Sequence, residues 1–204
     1  MNYYEKLKED VRFTDGLKSC ISCGICTAIC PAAEFFDYDP RRVMIIVQKH
    51  REEELEALLQ GDTIWNCGQC MSCKTRCPRD NTPGMVIQAL RKLSQETGQF
   101  IHSEKGRQQI IVKRSVGDTI LELGYCVHPD TLVPEKHPEQ GTVWEWVYEN
   151  RKEVYDRLGA NLYREGPGAM RKIDEASMEE LRNIFRETGG ERMFQLIEYY
   201  SEEL

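Results

Sequence analysis

CISCGICTAICP, residues 20–31, places Cys20, Cys23, Cys26 and Cys30 in one short run and closes it with Pro31. CGQCMSCKTRCP, residues 67–78, repeats the pattern with Cys67, Cys70, Cys73, Cys77 and Pro78. Both read Cys-x2-Cys-x2-Cys-x3-Cys-Pro. Eight of the chain's nine cysteines lie in these runs. The start of the chain, MNYYEKLKED, is charged and lacks the apolar centre of a secretory leader, so a cytoplasmic, reducing setting is expected. In such a setting dense thiols indicate metal or redox chemistry in preference to a disulfide framework.

Two residues between thiolates let a short loop wrap three corners of an iron-sulfur cubane, but the same loop cannot reach the fourth. The spacing resembles that of bacterial two-cluster ferredoxins, in which the last cysteine of each run ligates the other cluster. That resemblance implies Cys20, Cys23, Cys26 and Cys77 around one 4Fe-4S cluster, and Cys67, Cys70, Cys73 and Cys30 around a second. Zinc also takes four thiolates, but a zinc ribbon normally uses two separate Cys-x2-Cys knuckles per ion, and here four cysteines and a proline recur as a block. Gly24 and Gly68 are expected to bring backbone N–H groups up to the inorganic sulfides. Lys74, Arg76 and Arg79 flank the second run, where positive charge eases reduction of that cluster. Trp65 is a candidate shield against water.

Working outward, 27 basic against 34 acidic residues give a net charge of −7. That balance argues against nucleic acid, whose phosphates call for clustered Lys and Arg. No apolar run approaches the roughly 20 residues of a membrane span. The fold expected is all-α. Between the runs, DPRRVMIIVQKH opens with a proline suited to a first helical turn, and REEELEALLQGD continues with strong helix formers as far as Gly61. Thr82 and Pro83 open a helix with Val86, Leu90 and Leu93 on one face, and Ser103 caps another whose core candidates are Ile110, Ile111, Ile120, Leu121 and Leu123. Residues 124–141 form a proline-containing loop. In it His128 and His137 are read as surface residues, and Cys126 as a buried structural thiol. Capping boxes at Thr142/Glu145 and Ser177/Glu180 start later helices, the first carrying Trp144, Val147, Tyr148, Tyr155 and Leu158.

CISCGICTAICP, YDPRRVMIIV and DTIWNCGQCMSCKTRCPRDNTPGMVIQALR together resemble the α-helical ferredoxin that forms the C subunit of heterodisulfide reductases, over residues 15–125. A domain at 1–125 binding two 4Fe-4S clusters is expected, followed at 126–204 by the proline-containing loop and a helical extension that docks partners, since short helices around such a loop bury little surface alone. Related helical ferredoxins differ from this chain: those of succinate and fumarate oxidoreductases carry a 2Fe-2S domain upstream, and glycolate oxidase types carry Cys-Cys-Gly repeats. A Gly-x-Gly-x-x-Gly turn for a flavin is also missing from the sequence. The implied partners are an A-type protein bearing flavin and iron-sulfur clusters, and a B-type protein with Cys-Cys-Gly motifs that acts on thiols and disulfides. This chain would relay single electrons between them within a hetero-oligomer. It carries no catalytic residue of its own, and the tail HPDTLVPEKHPEQGTVWEW resembles the version found in sulfur oxidisers. The competing readings are an electron-transfer subunit of another flavin oxidoreductase and a metal-stapled scaffold without redox function.

Overall fold

A computed structural model describes residues 2–204. Its α-helices are α1 (Tyr3–Lys8), α2 (Val11–Gly16), α3 (Ile25–Ala28), α4 (Ala32–Phe35), α5 (Pro40–Gln48), α6 (Glu52–Gln60), α7 (Pro83–Glu96), α8 (Glu104–Val112), α9 (Asp118–Leu123), α10 (Thr142–Glu149), α11 (Arg151–Arg157), α12 (Glu175–Glu187) and α13 (Gly190–Ser201). A π-helical turn at Lys113–Gly117 joins α8 to α9. No strand occurs among the described residues, and the fold is all-α. The chain divides into two compact units, one of Met1–Gln109 with Leu196–Leu204 and one of Ile110–Gln195.

The first unit is built on α5, α6 and α7. In α5 the Asp39 carboxylate accepts from the Arg42 N–H at 3.2 Å, Pro40 sets the first turn, and Val43, Met44 and Val47 fall on one buried face. Three glutamates in the first turn of α6 complement its positive end, and Leu55, Leu58 and Leu59 are buried before Gly61 ends it. Pro83 opens α7, which buries Val86, Ile87, Leu90 and Leu93. The Ser94 hydroxyl donates to the Leu59 carbonyl at 2.7 Å, tying α7 to α6. These faces and α1 make one core, with Leu7, Val47, Leu59 and Leu90 at 1% exposure or less. Each such side chain contributes about 1.5–3 kcal/mol by burial. Thr82 stands at the cap of α7 but makes no side-chain cap bond; its own N–H donates to the Gly16 carbonyl at 2.8 Å, which ties α7 to α2. Ser103 does cap α8, accepting the Gly106 N–H at 2.9 Å.

In the second unit the buried apolar side chains are Ile110, Leu162 and Met178. Ile111, expected in a core, is 66% exposed, and Leu158, at the C-cap of α11, is exposed as well. Neither expected capping box forms. Gly141, at φ 79°, occupies the cap of α10, and α12 begins two residues before Ser177, where the Asp174 side chain accepts the Ser177 N–H at 2.9 Å.

His128 departs from the surface position expected of it and is buried. Its Nδ1 accepts the Asp130 N–H at 3.2 Å, and Asp130 in turn accepts from Arg151 Nε at 2.6 Å and from the Tyr163 hydroxyl. Satisfied locally in this way, the imidazole tolerates burial. Cys126, expected to be buried, is exposed.

Candidate metal centres

Each cysteine run folds as the same backbone turn, 47 positions apart. Ser22 and Gln69 adopt φ 58° and 55°, and their N–H groups donate to Cys20 Sγ and Cys67 Sγ, both at 3.4 Å. Two residues on, Gly24 and Met71 are left-handed at φ 81° and 60°. Such alternation turns successive N–H groups inward and forms an anion-binding concavity. Gly24 thus takes a left-handed conformation in the first loop, while Gly68 is not among the left-handed glycines, and Gln69 and Met71 bend the second loop. A left-handed glutamine or methionine leaves no signature in composition, so sequence reasoning passed over both.

The eight cysteines face two cavities. One, of about 270 Å³, is lined by Cys67, Cys70 and Cys73 of the second run together with Cys30 of the first. The other, smaller, is lined by Cys20, Cys23 and Cys26 together with Cys77. Pro83 lines both, so the two cavities adjoin. No three His, Cys, Asp or Glu side chains among the described residues converge as a single metal ion would require. The quartets instead surround a volume, as thiolates do around the body of a cubane.

The donor set around the cavities suits an anionic, sulfide-bearing group. Tyr38 Oη and Arg41 Nε are buried without a hydrogen-bond partner, and each is a donor. Tyr38 lines the larger cavity and Arg41 the smaller. A buried donor left unsatisfied costs about 1–3 kcal/mol, which an accepting sulfide offsets. Close approach is built in at Gly84: a Cβ there would lie 2.8 Å from Met71 Sδ and 3.9 Å from Cys73 Sγ.

Burial pushes the Cys26 thiol up to about 11, with the neighbouring Cys20 and Cys73 adding to the rise and Thr27 opposing it. Burial likewise raises Cys73, against the Gly84 N–H. Cys77 is also desolvated, but N–H groups of Arg79 and Asn81 outweigh this and hold it below its ordinary value; the Asn81 N–H lies 3.3 Å from Cys77 Sγ. Cys70 is lowered by its hydrogen bond with Ser72. Burial raises the Tyr38 hydroxyl strongly, and the nearby Cys67 and Cys30 thiols raise it further, so it remains a neutral donor. Thiols raised by burial favour a cationic iron partner over the free thiolate.

Three basic neighbours sit elsewhere than expected. Arg79 follows the second run but lines the cavity of Cys20, Cys23 and Cys26, because Cys77 crosses to that side and carries it along. Lys74 and Arg76 are exposed and line neither cavity. Trp65 lies behind the Cys67 turn, packed against the core under the Arg91 guanidinium at 5.4 Å.

A family model described as a 4Fe-4S dicluster domain matches residues 16–81, a span holding all eight cysteines. Fold, site and match together define an all-α iron-sulfur protein that binds 4Fe-4S clusters. The C subunit of the ferredoxin:CoB-CoM heterodisulfide reductase of Methanosarcina acetivorans is 34% identical over 157 residues, 76% of this chain and 60% of that protein. The protein of the same name from Methanosarcina mazei is 31% identical, over 60% of this chain and 68% of its own length. A second M. acetivorans protein, the C subunit of a ferredoxin/F(420)H(2)-dependent CoB-CoM heterodisulfide reductase, is 31% identical over 61% of this chain and 70% of its own length. The chain thus spans less than two thirds of the first of these relatives. It belongs to the family of heterodisulfide reductase C subunits.

Proposed function

We propose that this chain is the electron-relay member of a cytoplasmic heterodisulfide reductase-type complex. In this reading it binds two 4Fe-4S clusters, one through Cys20, Cys23, Cys26 and Cys77 and one through Cys67, Cys70, Cys73 and Cys30. It passes single electrons between an A-type partner bearing flavin and iron-sulfur clusters and a B-type partner with Cys-Cys-Gly motifs. The observation that carries the reading is the make-up of the two cavities, each lined by three cysteines of one run and the last of the other. When bound, such clusters accept and release one electron at a time without bond chemistry. The chain's own residues hold the thiolates, direct N–H groups of Ser22, Gln69 and Asn81 at them, and keep the cavities adjoining through Pro83. This work is the same whether the B-type partner reduces a disulfide or oxidises sulfane sulfur.

Residues 126–204 are proposed as the region that docks partners. What supports this is the apolar surface there, with Val143 71%, Trp146 58% and Ile184 57% exposed. The test is co-purification of the full-length chain with its partners, comparing the native protein with Trp146→Glu and Ile184→Glu. Loss of partners with iron content unchanged supports the docking role, whereas unimpaired complexes in both variants refute it.

A further inference from the structure

The two cysteine turns are held from behind by equivalent residues of different charge. Gln48 and Arg91 each stand eight positions after the proline that opens their helix, α5 or α7. Gln48 grips the first cysteine of its run: the Cys20 N–H donates to Gln48 Oε1 at 2.6 Å, and Gln48 Nε2 donates to the Cys20 carbonyl at 3.2 Å. Arg91 does the same with a cation. Its Nη2 donates to the Cys67 carbonyl at 2.6 Å, its Nε donates to the Ile64 carbonyl at 2.8 Å, and its guanidinium covers the Trp65 ring.

The electrostatic settings differ accordingly. Arg91 is partly buried and bonded to carbonyls, and no carboxylate pairs with it among the described residues. Burial pushes its pKa down, yet a guanidinium stays charged at any ordinary pH. On the Cys20 side, Arg41 is met by Asp39 at 3.0 Å, and Arg79 is exposed. An exposed charge acts through a dielectric near that of water, a shielded one through an effective value of about 20, so its influence at equal distance is about fourfold greater. Lys105, bonded to Asn66 and 3.9 Å over the Phe36 ring, also lies on the Cys67 side, but Asp62 beside it offsets its charge, leaving Arg91 as the uncompensated cation there.

We infer that Arg91 is a positioning residue that places an uncompensated positive charge behind the cluster held by Cys67, Cys70, Cys73 and Cys30, selectively easing its one-electron reduction, whereas Gln48 fixes the Cys20 turn without charge. This rests on the two-cluster reading. Reduction adds one negative charge to the cluster and takes up no proton. A fixed cation stabilises that charge through space, while the hydrogen bond to the Cys67 carbonyl sets the distance.

The test is a redox titration of the anaerobically purified full-length protein with dithionite, followed by electron paramagnetic resonance. Arg91→Gln keeps a donor of the kind that holds Cys20 and removes the charge. One of the two reduction waves should fall by about tenfold in equilibrium constant, about 59 mV for one electron. The other wave should stay in place, and Arg91→Lys should leave the first near its native position. Gln48→Arg should raise the wave that Arg91→Gln leaves alone, by a smaller factor because Gln48 is exposed. Both waves unmoved in an Arg91→Gln protein that retains its iron would overturn the inference, as would equal movement of both. Should Arg91→Gln lose its cluster, Gln48→Arg decides, and an unmoved wave there sinks the proposal. Native protein without iron and sulfide would instead remove the two-cluster reading itself.

Discussion

The two compact units differ in how much apolar surface their helices bury. In residues 2–109, α5, α6 and α7 bury continuous apolar faces, and the cysteine turns are set against that core: Tyr38 and Ile64 are buried in it, and Cys20, Cys30 and Cys67 pack on its edge. In residues 110–195 few apolar side chains are buried, and Ile111, Val143, Trp146 and Ile184 face outward. A one-electron centre requires fixed distances, which a dense core supplies. Under the docking role proposed for 126–204, the uncovered apolar area there is what a partner chain would cover.

The sharpest way to break this comparison is to attack the crossing of the cysteines. Cys30→Ser should remove the cluster of the second run, with iron falling by about half; a loss confined to the signal that Cys77→Ser also removes would contradict the crossed assignment. A core truncation comes next. Leu90→Ala should destabilise the first unit by about 2–5 kcal/mol in a denaturant titration of the metal-loaded protein. A change under about 1 kcal/mol would mean that α7 is not packed as described.

A smaller effect is expected at His128. Burial holds its imidazole below the usual 6.5, with Arg151 adding to the fall and Asp130 opposing it. The unfolded chain therefore takes up the proton at a higher pH than the folded one. The stability contributed by the neutral ring is present above about 6.5 and is lost as pH falls through the folded value. His128→Gln should flatten the fall in melting temperature below pH 6.5, and an unchanged slope would assign it to other groups. Smallest of all, Ile111→Ala should shift stability by no more than about 0.5 kcal/mol, as befits an exposed position.

Much of the candidate site was legible because its spacing is periodic. Cysteines at fixed spacing, closed by proline, carry their geometry with them, and helices that begin at Pro40 and Pro83 announce themselves by the same means. What escaped depends on where side chains end up in space. Arg79 belongs to the second run by position but to the first cavity by location, because crossing the last cysteine moves its neighbours too. Gln69 and Met71 adopt a conformation associated with glycine, which local propensity does not reveal. Local hydrogen bonds from Asp130 permit His128 to be buried, and Cys126, one residue beyond Tyr125, is left exposed; neither outcome follows from residue type. Gln48 and Arg91 carry no motif, and only the fold brings them onto Cys20 and Cys67.

The central claim is that the eight cysteines hold two cubanes. Iron, zinc and acid-labile sulfide content of anaerobically purified protein, with electron paramagnetic resonance after reduction, tests it most directly. About eight iron and eight sulfide per chain with two interacting reduced centres is the expected result. About two zinc and no sulfide would contradict it and leave a metal-stapled scaffold.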